Sequence, residues 1–244
     1  MKSLLIFIFL INIIYAQNLK IAVAANVSSA MKDLVKAYKI SNSKTNITVT
    51  IGSSGKLAAQ ILHGAPYDIF LSANTKYPLN LYKKGVSKVA PKVYAKGTLA
   101  LFTTKGVDIS NALESLTNEN IKKIAIANYK TAPYGQAAKE ALISAKLYAK
   151  LMPKFVYGES IGQTFIFTLK ATDVGIVAKS LLLSKEMAKY KEGKDFIEID
   201  SSLYNPIEQG AILISNTKEA QNFYTFLFSK EAKDIFKHYG YIVK

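Results

Sequence analysis

Short apolar segments alternate along this chain with stretches whose apolar residues recur at helical spacing. Leu19 to Ala24 reads as a strand, and Ser28 to Ile40 carries apolar residues at 31, 34, 35 and 38, the face of a helix. Ile47 to Ile51 is a β-branched strand, and Leu57 to Leu62 belongs to a short helix that Gly64 ends. Asp68 to Ser72 is a strand, followed by a helix around 76 to 84. Tyr94 to Thr103 reads as one longer strand. The alternation continues with strands at 123–127, 154–157 and 173–177, and helices at 134–147, 161–169 and 180–189. Strands at 196–199 and 211–214 and helices near 217–228 and 230–238 close the chain. This is an α/β pattern with mainly parallel sheets flanked by helices. The strands are too many for one sheet with ordinary loops, which predicts two α/β lobes.

Residues 1–16 depart from that pattern. One charge, Lys2, precedes an apolar run from Leu4 to Tyr15 whose one polar break is Asn12. The run falls short of the roughly 20 residues of a membrane span and matches a secretory signal peptide, with cleavage expected after Ala16. An exported chain with no cysteine has no site for lipid attachment through one, so a periplasm is its expected home. The missing Cys also excludes thiolate catalysis, Cys-ligated zinc and iron–sulfur clusters.

The 244 residues carry 32 Lys and Arg against 17 Asp and Glu, a formal net charge of +15. Such a balance suggests nucleic acid. Every basic residue is Lys, however, and the lysines are scattered. A nucleic-acid binder without Arg lacks the usual bidentate reader of guanine and phosphate, so a solvated lysine surface is the favoured reading.

Candidate chemistry concentrates at four strand-to-helix junctions: Ala24 to Ser28, Gly52 to Gly55, Asn128 to Gly135 and Gly158 to Gly162. Each is small, polar or Gly-rich, and each opens a helix. A helix start leaves backbone N–H groups unpaired and carries partial positive charge, and ligands of open α/β sheets bind at the carboxyl ends of strands. Four such junctions facing across a cleft would cage a small anion; singly, each is an ordinary capped turn. Catalytic readings fare worse. Gly52-Ser53-Ser54-Gly55-Lys56 is neither a nucleophile elbow nor a Walker A loop. Neither His63 nor His238 stands where it would serve Ser53 or Ser54 as a base, and Asp68 and Glu159 read as local hydrogen-bonding partners. No enzyme activity and no cofactor are expected.

On these junctions, and on the segments IAVAANVSSAMKDL, Gly52 to Asn74, Ala132 to Leu142, Val174 to Ser180 and KEAKDIFKHYGY, the chain resembles the periplasmic molybdate-binding proteins of ABC importers. The resemblance implies two lobes closing over molybdate or tungstate, an ABC permease in the inner membrane as partner, and a monomer. It implies a first lobe of 17–96 plus 206–244 and a second of 97–205, with crossings near Lys96 and Asn205. The implied oxyanion ligands are the side chains of Asn26 and Ser54 and the backbone N–H groups of Tyr134 and Ile161. Ala25, Ser53, Pro133 and Ala178 are further positions of the same site. At Ala178 many members carry a Tyr, and the Tyr134 hydroxyl is expected to replace that missing donor. A receptor for sulfate, phosphate or a small organic anion on the same fold is the alternative.

Overall fold

A computed structural model describes residues 17–243, so the expected signal peptide lies outside the described residues. The strands are β1 (Gln17–Ala24), β2 (Thr45–Gly52), β3 (Ile69–Ser72), β4 (Lys92–Gly97), β5 (Leu99–Phe102), β6 (Ile124–Ala127), β7 (Phe155–Gly158), β8 (Val174–Ala178), β9 (Phe196–Glu198) and β10 (Ile207–Leu213). The helices are α1 (Ser28–Ser41), α2 (Ser54–Leu62), α3 (Lys76–Lys83), α4 (Pro133–Ser144), α5 (Tyr148–Leu151), α6 (Ile161–Lys170), α7 (Lys179–Leu182), α8 (Lys218–Phe226) and α9 (Lys230–His238).

The strands form two five-stranded sheets, ordered β2-β1-β3-β10-β4 and β7-β6-β8-β5-β9. Three strands of each are parallel: β1 with β2 and β3, and β6 with β7 and β8. The others are antiparallel, because β10 and β5 run against their neighbours on both sides. β4 and β9, beyond the reversed strands, run with the parallel three, so four of the five strands in each sheet share a direction, in keeping with the mainly parallel expectation. One reversed strand makes each sheet mixed. The cause is the chain's passage between lobes: β4 continues directly into β5, and β10 returns from β9. The paired crossings lie side by side, β4 against β10 in one sheet and β5 against β9 in the other.

The expected single strand Tyr94–Thr103 is thus two strands in two sheets, broken at Thr98. A run of apolar residues carries no sign of a sheet change, since both halves are buried on arrival. The expected helix 180–189 ends at Leu182 and resumes as a 3-10 turn at Lys185–Met187.

Each lobe has its own core. In the first, α1 turns Met31, Leu34 and Tyr38 inward against β1, and α8 and α9 pack Phe223 and Phe236 into the same cluster. These last helices start cleanly: Thr217 and Ser229 accept from the N–H groups of Ala220 and Ala232. Two aromatic contacts, Tyr38 with Phe223 at 4.9 Å and Tyr38 with Phe226 at 5.4 Å, bind α8 to α1. In the second lobe β5, β6 and β8 are buried along their whole length. Its core runs on across the cleft to Ala24, Ala25 and Ala73 of the first.

Phe223 is fully buried. Its replacement by Ala is expected to cost about 3–5 kcal/mol of stability, read as a lower urea midpoint with an unchanged slope. A loss under about 1 kcal/mol would mean that the C-terminal helices are not part of the first lobe's core.

Candidate functional site

β1 and β2 end in register at Ala24 and Gly52, and β6 and β7 end together at Ala127 and Gly158. Both pairs of carboxyl ends face one cleft. The chain leaves each into a helical start: a 3-10 turn at Ala25–Val27, then α2, α4 and α6. Between them is a cavity of about 10 Å³, lined by Ala25, Asn26, Gly52, Ser53, Ser54, Ala73, Pro133, Tyr134 and Ile161 among others. Sites for drug-sized ligands run to about 300–1,000 Å³, so in this closed state only a very small ligand is accommodated.

Seven of the eight expected positions line it; Ala178 does not. Ala178 ends β8 opposite Leu99, fully buried in the ladder with β5. Ala73, which follows β3, lines the cavity although the sequence gives no reason to expect it there.

The lining is neutral: among the described residues it includes no Lys, His, Asp or Glu. Its hydroxyls are poised to donate. The Ala73 N–H donates to Ser54 Oγ at 2.9 Å, which leaves the Ser54 proton for another acceptor. Ser53 Oγ is buried and has no partner in the protein. The first N–H groups of each helix have no acceptor within their own helix. With no base beside Ser53 or Ser54, the arrangement does not support hydrolysis. His63 sits at the C-terminal end of α2 with Nδ1 2.8 Å from the Ala59 carbonyl. Asp68 accepts from the Lys20 N–H at 2.7 Å. Among the described residues no cluster of His, Asp or Glu is placed to hold a metal ion.

Two side chains are turned away from their expected roles. The Asn26 amide donates to Gln209 Oε1 and to the Tyr241 hydroxyl, both at 2.8 Å. Its two N–H groups are thereby occupied, and Oδ1, an acceptor, is left without a partner. The Tyr134 hydroxyl stands against Gly97, where any Cβ would collide with it, and near Gln209. The hydroxyl thus lies beside the crossing strands, buried and without a hydrogen-bond partner in the protein. Burial, reinforced by Tyr241, Tyr94 and Tyr204, pushes its pKa well up, with Asn26 opposing. The sequence shows neither turn, because each is set by residues from distant segments.

The lobes are closed. The Gly55 N–H donates to the Thr131 carbonyl across the cleft at 2.9 Å. Ser180 Oγ donates to the Asn26 carbonyl at 2.9 Å, and Lys56 pairs with Glu159 over the cleft mouth. Both members of that pair are half exposed, so it contributes little to closure.

The family of bacterial extracellular solute-binding proteins matches residues 19–242. The chain is 33% identical over 230 residues to the molybdate-binding protein of Rhodobacter capsulatus, covering 91% of this chain and 87% of that one. It is 32% identical over 235 residues to that of Azotobacter vinelandii, covering 93% and 90%. Among solved structures, the periplasmic molybdate-binding protein of Azotobacter vinelandii superposes with a TM-score of 0.85 at 30% identity, over 93% of this chain and 99% of that one. A sulfate-binding protein of Mycobacterium tuberculosis shares the fold alone, at a TM-score of 0.73 and 11% identity.

At Gly55 an added Cβ would lie 2.9 Å from the Thr131 carbonyl oxygen and 3.1 Å from its Cα, both backbone atoms of the opposite lobe. Gly55→Ala is expected to prop the lobes apart, giving a larger radius of gyration by small-angle X-ray scattering than the parent protein. Equal radii would show that Thr131 yields and that this contact does not gauge closure.

Proposed function

The chain belongs to the bacterial extracellular solute-binding protein family, and from that premise we propose that it is a receptor capturing molybdate, with tungstate as a second ligand, for an ABC permease. The observation that carries the reading is the cavity: small, closed, and lined by neutral groups at four helix starts. The names of relatives that match over nine-tenths of the chain support it. The proposed ligands are the hydroxyls of Ser53 and Ser54 and the backbone N–H groups at Asn26, Tyr134 and Ile161, with Ala25 and Pro133 shaping the wall.

Molybdate and tungstate are tetrahedral dianions near neutral pH, and each of their oxygens only accepts hydrogen bonds. A site of N–H and O–H donors without a carboxylate satisfies them, and each bond to a charged oxygen is worth about 1.5–3 kcal/mol. Phosphate retains a proton near pH 7 and needs an acceptor. Facing donors alone, it leaves that proton unpaired at a cost of about 1–3 kcal/mol. Sulfate matches in charge and is rejected by size, because its shorter bonds leave gaps in a cavity fitted to a larger ion. The partial charges of the helix starts supply the positive potential, and the lysines act only on the rate of arrival.

Lobe boundaries at 96/97 and 205/206 belong to this reading, supported by the sheet change after Gly97 and the return before Ile207. So do export by residues 1–16 and residence in a periplasm as a monomer.

Isothermal titration with molybdate, tungstate, sulfate and phosphate tests the assignment. Strong heats are expected with the first two; tight binding of another anion and none of molybdate would replace it. Ser53→Ala is expected to weaken molybdate binding about tenfold or more. The melting temperature without ligand should hold or rise, because the hydroxyl removed has no partner in the protein. Unchanged affinity would take Ser53 out of the ligand set.

A further inference from the structure

Behind the cavity, on the side of the crossing strands, lies a buried polar cluster whose side chains are not among the proposed anion ligands. Asn26 is its centre and is fully buried. Its amide donates to Gln209 and Tyr241. Its backbone carbonyl accepts from the Tyr241 hydroxyl and from Ser180 Oγ, each at 2.9 Å. The two hydroxyls stand 3.2 Å apart.

The partners come from different parts of the molecule. Gln209 lies on β10, which carries the return crossing, and its Nε2 donates to the Ile207 carbonyl at 2.9 Å. Tyr241 lies in the C-terminal tail, which docks on β4, the outward crossing. Lys96 and Ile242 exchange two backbone hydrogen bonds of 2.8 and 2.9 Å there, and the Tyr241 ring packs edge-on against Phe236 at 5.6 Å. Ser180 alone belongs to the second lobe. It lies on α7, whose Lys179 pairs with Glu192 and Glu198 and whose Leu182 packs with Phe102 and Phe196.

Asn26, Gln209 and Tyr241 are therefore bonded to one another within the first lobe and its tail. The bond from Ser180 to the Asn26 carbonyl spans the lobes and requires them to be together. Asn26 belongs to the 3-10 turn that opens the first junction, so whatever fixes its carbonyl also fixes the direction of the N–H groups at the cavity.

We propose that Ser180 and Tyr241 are positioning residues for the anion site, forming a buried latch on the Asn26 carbonyl that holds the lobes shut and sets the rate of ligand release. The inference rests on the receptor reading for its ligand, molybdate, but not for the closure it describes. Tyr241 keeps the carbonyl paired when the lobes part, and Ser180 adds the increment present only when they meet. Burial pushes the Tyr241 hydroxyl pKa up, first among its causes, so it remains a protonated donor at physiological pH. Opening must expose the Ser180 hydroxyl and withdraw it from its acceptor before water replaces it, which slows departure without hindering arrival.

The test uses the full mature chain and its intrinsic tyrosine fluorescence, with molybdate as the probe. Ser180→Ala is expected to speed release roughly three- to tenfold, the factor for one net hydrogen bond. Association rate and unliganded melting temperature should stay as in the parent. Tyr241→Phe, which keeps the ring against Phe236, is expected to speed release at least as much. Unchanged release in Ser180→Ala overturns the latch, as does faster release accompanied by an equal loss of unliganded stability, the mark of a purely structural role. Should the parent bind no molybdate, the receptor reading fails by itself. The latch is then judged by scattering without ligand, where a larger radius of gyration in Ser180→Ala supports it and an equal one overturns it.

Discussion

A polar group shut away from water must find a partner, at a cost of about 1–3 kcal/mol when it does not. The closed cleft gathers such groups at one point. Ser53 Oγ has no partner in the protein, and four helical starts present backbone donors with no acceptor of their own. Much of the architecture follows. Parallel strands are needed to place helix starts at one sheet edge, two sheets are needed to bring such edges face to face, and a pair of crossings is needed to join the sheets without blocking the cleft. An ion that only accepts hydrogen bonds completes the arrangement, and no charged side chain has to be buried to hold it.

How much of this is legible in the sequence depends on range. The junctions are readable because their signals are local: small residues and caps directly before helical patterns, as at Gly52 to Ser54 and Ser160. The lining positions 25, 26, 53, 54, 133, 134 and 161 follow from the family resemblance laid over those junctions. Side-chain direction is another matter. The Asn26 amide is turned by partners 183 and 215 residues away in the chain. The Tyr134 hydroxyl rests against a glycine of the other lobe's outward crossing strand. Neither relation leaves a periodic trace. The strand 94–103 divides for the converse reason: its local pattern is consistent, and only pairing with two different sheets breaks it at Thr98.

The lysines illustrate how a global property can mislead about a local one. The net charge of +15 suggests that cations hold the ligand. The lining contains no Lys among the described residues, and Lys56, near the cleft, is engaged in a surface pair with Glu159. Charge on the outside and dipoles on the inside act at different stages, the first on encounter and the second on retention.

The strand order has a bearing on assembly. β10 sits between β3 and β4, and α8 and α9 cover β1. The first lobe therefore stays unfinished until the C-terminal segment of the polypeptide is available, whereas the second is built from one uninterrupted stretch, β5 to β9. Contacts of such long sequence separation form late because the intervening loop must first be closed. A chain emerging from its N-terminus, during synthesis or across a membrane, would complete the second lobe early and hold the first open. Completion of the cleft then comes last, with the docking of Ile242 on Lys96.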